Sequence, residues 1–140
     1  MLQHLSTELS NESAISGVVS GLIDYGESVT WRAKHFGIYQ KLTSKITAFD
    51  APHYFIDEQE KGIFKRFRHE HIFKTINRQT LMVDVFDYTA PLGVLGKLAD
   101  ALFLEQYMRQ LLQKRNETIK AFAESDQWKS VLAHKKRIQK

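Results

Sequence analysis

The sequence predicts an α+β protein, a curved antiparallel sheet of about six strands wrapped around one long C-terminal helix. Two periodicities carry that expectation. From Ile15 to Tyr88, apolar and polar side chains alternate with period two, in runs separated by short turn-forming clusters. Past Pro91 and Gly93 the apolar residues recur mostly every three or four positions, as on an amphipathic helix. Successive strands with short connections make an antiparallel meander, and a sheet with one apolar face must bury it against the helix.

The elements follow in order from local pattern. The first residues are polar with weak periodicity, so residues 1–14 read as an irregular segment ahead of the domain. Ile15 to Ile23 resembles a strand, weakened by Gly17 and Gly21. Asp24-Tyr25-Gly26 makes a turn, and Glu27 to Lys34 then alternates cleanly. Val29, Trp31, Ala33 and His35 lie on one side, with Thr30, Arg32 and Lys34 on the other. Phe36-Gly37 turns the chain into Ile38 to Phe49, which places Ile38, Leu42 and Ile46 together. Asp50-Ala51-Pro52 ends that strand, because proline lacks the amide a ladder needs. Tyr54 to Glu58 is a short strand, and Glu60-Lys61-Gly62 turns into a pair of long ones meeting near Asn77-Arg78. Leu98, Leu102, Leu104, Met108, Leu111, Leu112, Ile119 and Phe122 set the helix at about residues 94–124. Its other face carries Lys97, Asp100, Arg109, Lys114, Glu117 and Lys120. The domain is therefore expected over residues 15–124, followed by a basic tail over 125–140.

Composition excludes several classes. A chain of 140 residues buries a real core without metal or disulfide support. With no cysteine, disulfides and thiolate zinc sites are ruled out. No run approaches the ~18 apolar residues of a membrane span, and the start is too polar for a signal peptide, so a cytoplasmic protein is expected. The net charge of +4 belongs to the tail, because residues 127–140 carry Lys129, Lys135, Lys136, Arg137 and Lys140 and no acid. Residues 1–126 keep 15 basic and 16 acidic side chains. A nucleic-acid binder shows positive charge on its folded body, so no nucleic-acid partner is expected. Leu92-Gly93-Val94-Leu95-Gly96-Lys97 superficially suggests a phosphate loop, but its glycines are too close together and Leu98 stands where Ser or Thr should be.

The chemistry concentrates on the long hairpin. Phe67, His69, His71 and Phe73 share one face of its first strand, and Met82, Asp84, Phe86 and Tyr88 one face of its second. Aromatic rings mixed with imidazoles and a carboxylate suit a pocket better than a plain aliphatic core. A two-residue turn at Asn77-Arg78 sets His71 across from Asp84. That pair reads either as a general acid–base couple or as a structural hydrogen-bonded pair inside the sheet. His69-x-His71 spacing also lets both imidazoles reach one metal ion, with His35 or Asp84 as third ligand. The pocket-lining reading is preferred, and no metal or cofactor is expected. Trp31, Phe55, Phe67, Phe86 and Tyr88 line the expected pocket, which Leu104, Met108 and Leu111 close from the helix. Asp57, on the short strand, reads equally as a turn cap or a mouth residue.

A scattered set of residues resembles the START/Bet v 1-like helix-grip superfamily, in its bacterial polyketide cyclase/dehydrase or coenzyme-Q-binding-like branch. It runs from Gly26-Glu27-Ser28-Val29-Thr30-Trp31 and His35-Phe36-Gly37 through Pro52, Phe55, Asp57 and Gly62-Ile63-Phe64. His69-Glu70-His71-Ile72-Phe73, Thr80, Met82, Asp84, Tyr88, Pro91 and Gly93 follow, then Tyr107-Met108 and Arg115 on the helix. The resemblance implies a deep cavity between sheet and helix for a small hydrophobic or amphipathic ligand of lipid, polyketide or quinone type. A carrier or sensor is the leading expectation. A cyclase or dehydratase using His71 and Asp84 is the alternative, as is a protein-interaction domain. Such proteins usually open with a further strand and two short helices. Without that strand the sheet edge beside the long hairpin is exposed, unless residues 1–13 substitute for it or further chain precedes them; a homodimer through that edge is the third alternative.

Overall fold

The computed structural model describes residues 12–19, 22–35, 37–91 and 103–129. Six strands form one antiparallel sheet in simple chain order: β1 Ser13–Gly17, β2 Ser28–His35, β3 Ile38–Asp50, β4 Tyr54–Lys61, β5 Arg66–Ile76 and β6 Gln79–Thr89. Helix α1, Glu105–Glu124, follows. The meander and the C-terminal helix make this an α+β helix-grip fold, as the two periodicities predict. Among the described residues, β6 is the last strand of the sheet, the edge along which such a homodimer would pair.

Several boundaries differ from the periodicity. The first strand covers Ser13–Gly17 rather than Ile15–Ile23. Gly17 ends it at φ +80, where an added Cβ would sit 2.1 Å from the Ser28 carbonyl oxygen, so no other side chain fits that approach. The fourth strand continues beyond Glu58 to Lys61, and the fifth begins only at Arg66 because residues 62–65 bend. The expected start of the helix near residue 94, and the glycines of its approach, lie outside the described residues. The segment beyond residue 129 in the basic tail lies outside them too.

Turn chemistry sets the register that matters for function. Asn77 and Arg78 both adopt positive φ, 49° and 64°, as a two-residue hairpin turn whose twist matches the strands requires. Ile76 then pairs with Gln79, and the ladder runs back to His71↔Asp84 and His69↔Phe86. In the β3–β4 pair the register shifts twice, between Thr43 and Ser44 and between Ile46 and Ala48. Such bulges bend a strand and increase its twist, which suits a sheet that curves over a helix. The second shift sets Asp57 opposite Ile46.

The fully buried apolar residues lie on strands: Val29, Ala33, Ile46, Ile56 and Phe67. No residue of α1 is fully buried. Its apolar face, with Tyr107, Met108, Leu111, Leu112 and Ile119, is half-buried, as expected of a helix held off the sheet by intervening space. No described helix is long and apolar enough to cross a membrane.

Candidate functional site

A cavity of about 250 Å³ opens between the sheet and α1. Its sheet wall includes Trp31, Phe55, Phe67 and Phe86, and its helix wall Leu104, Met108 and Leu111. These seven positions are apolar because each faces inward from its element, by alternation on strands and by three-four spacing on the helix. Among the polar residues of the lining, which also include Gln40, Lys41, Ser44 and Thr118, Asp57, His69 and Arg115 face the same space.

Strand register builds that polar region in two adjacent rows. In the first row Asp57 of β4 pairs with His69 of β5, which pairs with Phe86 of β6. In the next, Phe55 pairs with His71 and His71 with Asp84. The two carboxylates therefore sit diagonally, with both imidazoles between them. His71 Nε2 lies 3.1 Å from Asp57 Oδ1 and its Nδ1 lies 2.8 Å from Asp84 Oδ1. His69 repeats the arrangement more loosely, with Nδ1 3.8 Å from Asp57 Oδ1 and Nε2 3.7 Å from Asp84 Oδ1. The rings themselves are 3.9 Å apart between centroids. Phe55 stacks on His71 at 4.2 Å and 19°, and Phe86 meets His69 edge-on at 5.2 Å. Both histidines are only 2% exposed.

Electrostatics divides the two imidazoles. Burial pushes His71 toward the neutral form, but pairing with Asp57 and Asp84 outweighs it and raises its pKa above the ordinary value. For His69 burial prevails, helped by the charges of His71 and Arg115, and its pKa is lowered despite Asp84. Burial alone would raise both aspartates. The imidazoles, with Arg115 acting on Asp57, hold both carboxyls below the ordinary range, Asp84 far below it. The cluster thus gathers two carboxylates held ionised, an imidazole at His71 shifted toward its charged form, one at His69 shifted toward its neutral form, and the Arg115 guanidinium. One demand is left unmet: His69 Nε2 is buried without a hydrogen-bond partner, and neither Asp84 oxygen receives an aligned one.

The candidate residues divide by position. His71 and Asp84 lie behind the wall rather than on it, and His69 is the imidazole that reaches the cavity. Tyr88 also stays off the wall, packing against Phe64 at 5.4 Å and Phe86 at 5.5 Å. His35 ends β2 opposite Ile38. The level of Asp57 corresponds to Ile46, whose amide bonds the Glu27 carbonyl at the other end of β2. Eight residues of strand, roughly 25 Å, therefore separate His35 from the cluster. The carboxylate that joins the histidines from β4 is Asp57, not a turn cap or mouth residue. Its signal was present in the sequence: it lies two positions from Phe55 on one strand, hence on the same face. Arg115 lies three positions past Leu112 on the apolar stripe of α1, an unusual place for a guanidinium.

The architecture is that of the Bet v 1-like helix-grip fold, a sheet closed over a C-terminal helix. The chain is similar in structure to TTHA0849 from Thermus thermophilus, with a TM-score of 0.63 and 18% identity over 89% of this chain and 83% of that one. It is also similar to Ara h 8.0201, a Bet v 1-family allergen, with a TM-score of 0.59 and 18% identity over 86% of this chain and 81% of the other. No protein-family model and no curated protein sequence matches the chain.

Proposed function

We propose that this protein binds a small amphipathic molecule in the cavity between sheet and helix, acting as a carrier or sensor. The observation that carries this reading is the cavity itself, about 250 Å³ with mostly aromatic and aliphatic walls and a minority of polar groups. Ligand pockets commonly combine a mostly apolar lining with a few convergent polar groups, over volumes of about 300–1,000 Å³. A volume just below that range favours a compact ligand, such as a single ring system or short chain, over a long isoprenoid tail. The apolar body would lie against Trp31, Phe67 and Met108, with its oxygen-bearing end toward His69, Asp57 and Arg115. The Bet v 1-like fold supports the reading, because proteins of this architecture commonly bind hydrophobic ligands.

Mass spectrometry of the protein, first under native conditions and then after denaturation, tests the proposal. A stoichiometric small molecule released unchanged supports a carrier. Titration of the stripped protein with compact aromatic carboxylates, phenols and short fatty acids gives a second arm. Trp31 lines the cavity, so its fluorescence reports occupancy, while Trp31→Phe leaves Trp128 as background. Absence of both a co-purified molecule and saturable quenching across that set would sink the proposal.

A further inference from the structure

We propose that Asp57, His69 and His71 form a binding site for one first-row divalent metal ion, such as Zn²⁺ or Fe²⁺, at the cavity wall, with Asp84 orienting both imidazoles. One ligand atom from each of the three residues lies within 4.8 Å of the others. The closest pairs converge on a single point beside Asp57: His71 Nε2 at 3.1 Å and His69 Nδ1 at 3.8 Å from Asp57 Oδ1. An ion with bonds of about 2.1 Å sets its ligand atoms roughly 3.0–3.4 Å apart; the Asp57–His71 spacing already matches, and the remaining separations, up to 4.8 Å, must close by movement of the His69 ring. Two imidazoles and one carboxylate suit zinc, and the same set with open positions suits non-haem iron.

The surroundings strengthen the assignment. Metal-ligating histidines characteristically donate the other ring N–H to a carboxylate, which fixes tautomer and orientation. With the ion beside Asp57, the far nitrogens are His71 Nδ1 and His69 Nε2, at 2.8 and 3.7 Å from Asp84 Oδ1. A single buried carboxylate thereby serves both rings. His69 Nε2 and Asp84 Oδ1, neither with an aligned hydrogen-bond partner among the described residues, already face each other at 3.7 Å, a gap that ring movement on binding has to close. A buried unpaired group of this kind is costly, which is reason to expect a purpose for it. The charge the ion adds faces the cavity, because Asp57 and His69 both line it. The open coordination positions thus point where a ligand would enter. The proposal stands independently of the carrier reading.

The test is titration of chelator-treated protein with Co²⁺, which absorbs in the visible when coordinated. The expected result is one equivalent bound per chain, with two exchangeable, hyperfine-shifted imidazole N–H resonances in the proton NMR spectrum. Those two protons are the ones facing Asp84. Asp57→Asn and Asp84→Asn each weaken binding by about tenfold or more, whereas His53→Gln, at an exposed site, leaves it unchanged. The spectrum of the unmutated protein decides the matter even if a variant fails to fold. Absence of saturable binding, absence of the paired N–H resonances, or loss of binding in His53→Gln each overturns the site.

Discussion

His71 stands directly across the β5–β6 ladder from Asp84, its Nδ1 2.8 Å from the carboxylate, while its Nε2 engages Asp57 on the opposite strand. One buried imidazolium therefore ties three adjacent strands together. Removing charge from one side leaves the other groups buried without full compensation. Asp84→Asn is expected to destabilise the fold by about 2–4 kcal/mol, read from urea unfolding. Combining Asp84→Leu with His71→Phe should cost well under the sum of the single changes, because the buried charges disappear together. Additive costs would show that the pair is not coupled.

In metal-free protein the two histidines should drive stability in opposite directions with pH. The pKa of His71 is raised above 6.5, so its contribution is complete below that pH and is lost as pH rises through the folded value. The pKa of His69 is lowered from 6.5, so its contribution is complete above that pH and is lost as pH falls through the folded value. Both aspartates are lowered from 3.8, and their contributions disappear only in stronger acid. With chelator present, His71→Gln should flatten the decline in urea midpoint as pH rises above 6.5. His69→Gln should flatten the decline as pH falls below 6.5. The reverse pattern would mean that the two imidazoles have exchanged roles.

Filling the cavity from the helix should abolish ligand binding without unfolding the chain. Met108 lines the cavity and is only half-buried, so Met108→Trp places a larger ring in existing space. In a tightly packed interior such a change costs about 1–3 kcal/mol; here the melting temperature should stay close to that of the unmutated protein. Binding measured by Trp31 quenching, or recovery of the co-purified molecule, should fall at least about tenfold, equivalent to 1.4 kcal/mol. Unweakened binding would place the ligand elsewhere.

The hairpin turn offers a gain in stability. Arg78 occupies φ 64°, a conformation that costs a non-glycine residue about 1–2 kcal/mol. Arg78→Gly removes that cost but gives the unfolded chain about 0.4–1 kcal/mol of extra freedom. A net stabilisation of about 0.5–1 kcal/mol is expected in urea unfolding. The cluster, several pairs up the ladder, should keep its properties. A loss of stability would show that the arginine side chain contributes at the turn.

Local and near-local features are legible in the residues alone. Period-two alternation marks the strands apart from the bounds of the first and fourth, three-four spacing marks the helix, and the Asn77-Arg78 turn sets His71 against Asp84, because a two-residue loop leaves no freedom in register. The same alternation brings Phe67, His69 and His71 onto one face. Which distant residues meet them is settled only by the packing of the whole chain. Asp57 reaches the histidines through the β4–β5 register, and a bulge in β3 sets Ile46 against it on its other side; no local pattern marks where a bulge falls. His35 falls on the same alternation as Val29 and Ala33 yet lies far from the cluster, since strand offset accumulates across the sheet. Arg115 acquires its role only where α1 lies over the sheet. The hollow itself is likewise a tertiary property: alternation says which side chains face inward, whereas the separation of helix from sheet decides whether they touch or leave space between them.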